Sequence, residues 1–124
     1  MALLFAITAV RVRQILAGTA RASDFTAGIP HGQDWYWRLN RAHMNCLENL
    51  PLFAAVVLTG AVLGAEAPLL DRLSELYLLA RIGQSVTHIS SGSDRAIQVR
   101  FAFFAIQVIC LLGMIVITVP VRAT

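Results

Sequence analysis

Four polar side chains, Arg38, Arg41, Asn45 and Glu48, recur at three- and four-residue intervals just ahead of Pro51 and a run that turns wholly apolar. At about 100° per residue they fall within roughly a quarter of a helix circumference, one stripe able to grip a charged or amide-bearing ligand. Arg81, Gln84, Ser85 and His88 form a second stripe over about one hundred degrees of arc. Arg100 precedes an aromatic run, with Gln107 one face-repeat deeper, and Arg11 lies just past the first apolar stretch. Arg38, Arg41, Arg81 and Arg100 against the single Glu48 leave positive charge that internal pairing does not neutralise. A bound anion relieves it, and guanidinium groups hold carboxylates through fork-like, charge-assisted bonds.

Each of these residues also has a plainer reading on its own. Arg38 and Arg41 can snorkel to headgroups, and Glu48 with Arg81 can be a structural interhelical pair. Gln84 and Ser85 can be helix-packing glue, and His43, off the main stripe, a satisfied histidine against a neighbouring helix. Trp35, Tyr36 and Trp37 read as an interfacial aromatic belt, Phe101, Phe103 and Phe104 as lipid or core contacts, and His31 carries no signal. Cys46 and Cys110 lack CxxC spacing and a companion histidine cluster, so they read as apolar filler; neither a disulfide nor a metal site is expected. No single residue decides the question.

The elements that must position these groups are helices in a membrane. Hydrophobic residues make up 57% of the 124 and charged ones 14%, against about 25% charged in soluble domains. Phe101 to Val121 contains no charge, and about 20 apolar residues cross a hydrocarbon core. The net charge of +3 involves no lysine and forms no solvated basic patch, so nucleic acid is not an expected partner. Helices are expected over 2–17, 34–63, 68–89 and 95–118, in one domain spanning 1–124. Asp34 and Asp94 are candidate N-caps, Pro51 lies inside the second helix, where it removes one hydrogen bond and tends to kink it, Gly64 to Pro68 makes a turn, and Pro120 follows the fourth helix.

The apolar part of the first helix, Ala2 to Val10, is about half a span. Either Val12, Ile15 and Leu16 complete the crossing on one face, or the N-terminus begins late. The first ten residues lack a basic leader, so a cleavable signal peptide is not expected. The stretch 18–34 reads as a long loop, and short turns elsewhere force antiparallel neighbours. Arg11, Arg13, Arg21 and Arg95 flank the loop side, whereas Glu66, Asp71, Arg72 and Glu75 lie at the other; the positive-inside rule puts the long loop in the cytoplasm. All four helices bring polar groups to that end. A charge at mid-bilayer costs on the order of 3 kcal/mol, so these groups must face one another or a wet cavity. A transporter would need a polar path reaching both faces, and here the polar groups cluster at one.

The run Arg41-Ala42-His43-Met44-Asn45-Cys46-Leu47-Glu48-Asn49, ahead of a proline and an apolar stretch, strongly resembles the MAPEG proteins, the membrane-associated proteins in eicosanoid and glutathione metabolism. It is most similar to the microsomal glutathione transferases and their bacterial relatives. Ala80 to His88 resembles the family's third-helix motif, Arg100 before Phe101-Ala102-Phe103-Phe104 its fourth-helix arginine, and Val10 to Arg13 the end of its first helix. Arg100 rather than Arg95 takes that place, because it lies within the helix beside the aromatic run. His88 stands where relatives usually have tyrosine, and Gln84 and Ser85 where histidine and threonine are frequent.

The resemblance implies an all-α integral membrane four-helix bundle, multi-pass and assembled as a homotrimer, in a bacterial inner membrane with its site near the cytoplasmic face. It implies glutathione as co-substrate, no metal, and lipophilic electrophiles or lipid hydroperoxides as the second substrate. Arg38, Arg41, Asn45, Glu48, Arg81, Gln84, Ser85, His88 and Arg100 correspond to glutathione-contacting or supporting positions, and Arg11 faces the site from the neighbouring subunit. Glu48 would take the ammonium, Arg38, Arg41 and Arg81 the carboxylates, and Arg100 the thiolate. The implied activity is glutathione transfer, with peroxidase activity beside it. The alternative is a non-catalytic lipid-binding or scaffold protein of the same fold.

Overall fold

The computed structural model describes residues 1–65 and 68–119. Four α-helices account for most of them: α1 (Ala2–Leu16), α2 (Asp34–Val62), α3 (Pro68–Ser90) and α4 (Asp94–Thr118). No strand occurs among the described residues. Glu66 in the expected turn, and Pro120 and Val121 after the fourth helix, lie outside them.

Helix ends follow local chemistry. Gly18 and Gly64, with φ of 67° and 65°, close α1 and α2. At each, the glycine N–H and the next N–H bond back to the last-turn carbonyls, Gly18 to Ile15 and Thr19 to Gln14, Gly64 to Ala61 and Ala65 to Gly60. Glycine suits this left-handed position because it has no Cβ to clash. The N-caps are one residue earlier than the sequence pattern indicates. Ser93, not Asp94, caps α4 by accepting from the Ala96 N–H, and Gln33 precedes α2. Asp94 and Asp34 sit instead in the first turns, where their charge faces the positive end of the helix dipole. α2 runs unbroken through Pro51. Inside the long loop, Ala22–Asp24 forms a short 3-10 turn held by Asp24 accepting from the Arg21 N–H.

α3 and α4 pair most closely, α2 packs on both, and α1 rests on α2. The central core holds Leu70, Tyr77, Cys110 and Met114, with Phe53 stacked on Tyr77 at a ring distance of 4.4 Å. A second cluster, Ile7, Tyr36 and Leu39, joins α1 to α2. Outward positions are apolar too: Phe101, Ile109 and Val116 on α4 and Leu58 and Val62 on α2 are exposed. Such a surface needs an apolar surround, and α2 and α4 are each long and apolar enough to cross a membrane.

Where lipid replaces water, helices gain little from burying apolar groups and associate through close packing at small residues. Gly83 is such a residue: a Cβ there would sit 2.6 Å from the Phe103 ring. Gly83→Val is therefore expected to part α3 from α4 and cost about 1–3 kcal/mol, the usual range for overpacking. A lowered melting temperature in detergent, larger than for Gly83→Ala, checks this.

Candidate functional site

α2, α3 and α4 meet in a continuous polar network at the end of the bundle nearest the long loop. Arg81 Nη1 donates to Asn45 Oδ1 and to Gln84 Oε1, both at 2.9 Å. Asn49 Nδ2 donates to the same Asn45 Oδ1 at 3.0 Å and to the Asn45 carbonyl at 2.9 Å. Gln107 Nε2 donates to Gln84 Oε1 at 3.1 Å, and Gln84 Nε2 to the Arg100 carbonyl at 3.2 Å. Arg100 Nη1 meets His88 Nδ1 at 2.9 Å, and Asn45 Nδ2 meets His88 Nε2 at 3.3 Å.

Around Arg81 and His88 this network is short of acceptors. A guanidinium has only donors, so His88 Nδ1 must accept from Arg100. Asn45 Oδ1 is taken by Arg81 and Asn49, so its NH2 group is what faces His88 Nε2. Both ring nitrogens thus face donors, and a neutral imidazole accepts through only one. Arg81 Nη2 is buried with no partner among the described residues.

Beside the network opens a cavity of about 370 Å³ lined by Arg41, Met44, Asn45, Glu48, Asn49, Gln84, His88 and Phe104. Its volume falls in the range of about 300–1,000 Å³ usual for small-molecule sites. Arg41 and Glu48 are exposed there, and among the described residues the one salt bridge is Arg72–Glu75 at 3.2 Å. Glu48 and Arg81 therefore do not form the structural pair that their spacing permits.

Not every expected residue reaches this cavity: Arg81 and Arg100 lie behind its wall, bonded to the lining residues Asn45, Gln84 and His88. Arg38 Nε donates to the Ile89 carbonyl at 3.0 Å, holding the last turn of α3. Ser85 turns to the other side of α3, 3.4 Å from Cys46 Sγ. Arg11 donates to Tyr36 Oη at 2.7 Å and to Asn40 Oδ1 at 3.4 Å, and its guanidinium lies 5.3 Å from the centre of the Phe25 ring. Within its own chain it bonds α1 to α2 and does not line the cavity.

Two other cavities frame the choice of site. One, about 670 Å³, lies at the opposite end among Leu58, Thr59, Val62, Leu63, Thr118 and Val119, none of which is ionisable. The other, about 450 Å³ and mostly apolar, backs onto the polar network through Arg81 and includes Leu4, His43, Cys46, Leu50 and Tyr77. Of these three, the 370 Å³ cavity is the one that, among the described residues, combines an unpaired cation, an unpaired carboxylate and amide groups.

The sequence model of the MAPEG family matches residues 1–119. The chain belongs to the MAPEG family. It is accordingly a membrane four-helix bundle, in a family that includes glutathione transferases as well as members without enzymatic activity. Many MAPEG proteins use glutathione, and members act as trimers. No curated protein and no solved structure matches the chain.

Three features of this MAPEG site were not among the residues to which the sequence assigned a binding role. Asn49 lines the cavity and fixes Asn45, and its signal was present, since it follows Asn45 by one helical turn. Phe104 and Met44 supply its apolar wall, which periodicity alone does not distinguish from lipid-facing positions. Tyr36 and Asn40, both buried, hold Arg11, a pairing that depends on how α1 docks on α2.

Proposed function

We propose that this protein is a membrane-bound glutathione transferase that joins the glutathione thiolate to lipophilic electrophiles, and that it also reduces lipid hydroperoxides, two glutathione thiols becoming one disulfide as the O–O bond breaks to give alcohol and water. The observation that carries the reading is the shortage of acceptors in the network between the 370 Å³ and 450 Å³ cavities: His88 between two donors and Arg41 unpaired among the described residues on the first, and Arg81, which lines the second, with a partnerless Nη2. Glutathione supplies what is lacking, two carboxylates and a thiolate, and its ammonium is the counterpart of Glu48.

In this reading Arg41 and Arg81 hold carboxylates, with Arg38 at the rim, and Asn45, Gln84 and His88 support them, while Ser85 stays on Cys46. Arg100 faces the sulfur. A cation there favours thiolate over thiol, and the thiolate is the nucleophile. With a chloronitrobenzene acceptor, the sulfur lone pair forms the C–S bond, chloride leaves with the C–Cl electrons, and the thiol proton passes to water. The apolar cavity behind Arg81 has the chemistry of a lipophilic acceptor's seat, and the bilayer delivers that acceptor. We place the chain as a single multi-pass domain in a homotrimer, with Arg11 reaching the site from the neighbouring subunit at the cytoplasmic face of a bacterial inner membrane.

Calorimetry on protein purified in detergent tests the reading. Binding is expected at millimolar glutathione, and Glu48→Gln is expected to weaken it at least tenfold, since a hydrogen bond to a charged group contributes about 1.5–3 kcal/mol. Glu48 is exposed, so the variant should melt with the wild type. A second reading, a non-catalytic lipid-binding or scaffold protein, draws on Arg38 and Arg11, which already have partners in their own chain. No heat of binding at millimolar glutathione would favour it.

A further inference from the structure

Gln107 stands alone as a polar side chain midway along the apolar part of α4, only 2% exposed, and none of the chemistry above uses it. Its place in the network is fixed by elimination. Arg81 has no acceptor, so Gln84 must turn its Oε1 toward Arg81 and its NH2 group toward the Arg100 carbonyl. Gln107 then has to present its own NH2 group to Gln84 Oε1, which leaves Gln107 Oε1 buried and without a partner.

That bare oxygen is informative. Leaving a buried acceptor unmade is unfavourable, and an apolar side chain of similar size at 107 would leave nothing unmade, because Gln84 Oε1 keeps Arg81. The glutamine is therefore a poor device for stability. What it does supply is a second donor that stops the Gln84 carboxamide from rotating. Gln84 in turn hydrogen-bonds both arginines, at the Arg81 guanidinium and at the Arg100 backbone.

We infer that Gln107 is a positioning residue for the glutathione site, locking Gln84 so that Arg81 and Arg100 keep their places toward the ligand's carboxylate and sulfur. This rests on the glutathione reading, but the lock itself is a property of the ligand-free protein.

The test compares wild type, Gln107→Leu, Gln84→Leu and the double variant in detergent. Gln107→Leu is expected to raise the glutathione KM about fivefold, leave the KM of the electrophile and the melting temperature unchanged, and add nothing in the Gln84→Leu background, as expected for two residues acting through one contact. Phenylglyoxal labelling without glutathione, mapped by mass spectrometry, is expected to modify Arg81 severalfold faster in Gln107→Leu. A fall in melting temperature with unchanged KM, or additive effects of the two substitutions, would overturn the inference. If wild type turns over no glutathione, the functional reading falls, and the labelling decides the lock: unchanged Arg81 labelling overturns it, faster labelling upholds it.

Discussion

Arg100→Ala is expected to lower the rate of conjugation about a hundredfold near neutral pH, because removing one preorganised group that stabilises developing charge typically costs about 10²–10³ in kcat. Arg100 is half-buried, its guanidinium meets His88 and its backbone is tied to α3 through Gln84. Such a group reacts little to solvent and needs no reorganisation when the thiolate forms. Loss of the cation also removes what favours thiolate over thiol. The rise of activity with pH should then move upward, toward the ordinary thiol value of about 8.5. Arg100→Lys keeps the charge without the planar fork and should recover part of the rate. Conjugation measured across the pH range with a chloronitrobenzene acceptor checks all three outcomes, and an Arg100→Ala protein with the wild-type profile would remove the assignment.

The helices were legible because each carries its own marks: an apolar run, a glycine at its end, a serine or acidic residue at its start. The site was legible only in part. The stripe of Arg38, Arg41, Asn45 and Glu48 predicts a common face, yet a face about a quarter of a circumference wide has two edges that meet different neighbours. Arg41, Asn45 and Glu48 reach the cavity, while Arg38 meets the end of α3. Ser85 shares a stripe with Gln84 and His88, but it lies at the far edge and turns to Cys46. Which edge faces what depends on helix rotation, and rotation is set by contacts such as Phe103 against Gly83, where spacing along one helix is silent.

The long loop shows the same limit from the other side. His31 carried no signal, yet its ring lies 5.6 Å from that of Tyr36 and 6.0 Å from that of Phe25, and Tyr36 is the residue that holds Arg11. A residue without periodic neighbours can still be part of a packed corner, because the corner is assembled from segments far apart in sequence.

Arg81→Met is expected to leave the fold intact and to abolish tight glutathione binding, and the hydrogen bonds say why the two should separate. Each acceptor that Arg81 serves has a second donor: Asn49 for Asn45 Oδ1, Gln107 for Gln84 Oε1. Removing the guanidinium therefore orphans neither. It also removes a buried nitrogen that has no partner, a liability of about 1–3 kcal/mol or more for a charged group. The melting temperature should stay level or rise. Binding should move the other way, because losing one member of a buried, hydrogen-bonded charge pair costs about 2–5 kcal/mol. At about 1.4 kcal/mol per tenfold, affinity falls from roughly thirtyfold to more than a thousandfold. Arg81→Lys should not restore it, since a single ammonium cannot reach Asn45, Gln84 and a carboxylate together. Were Arg81 a structural bolt, the signs would be reversed: the melting temperature would drop, and whatever protein remained folded would bind glutathione as before.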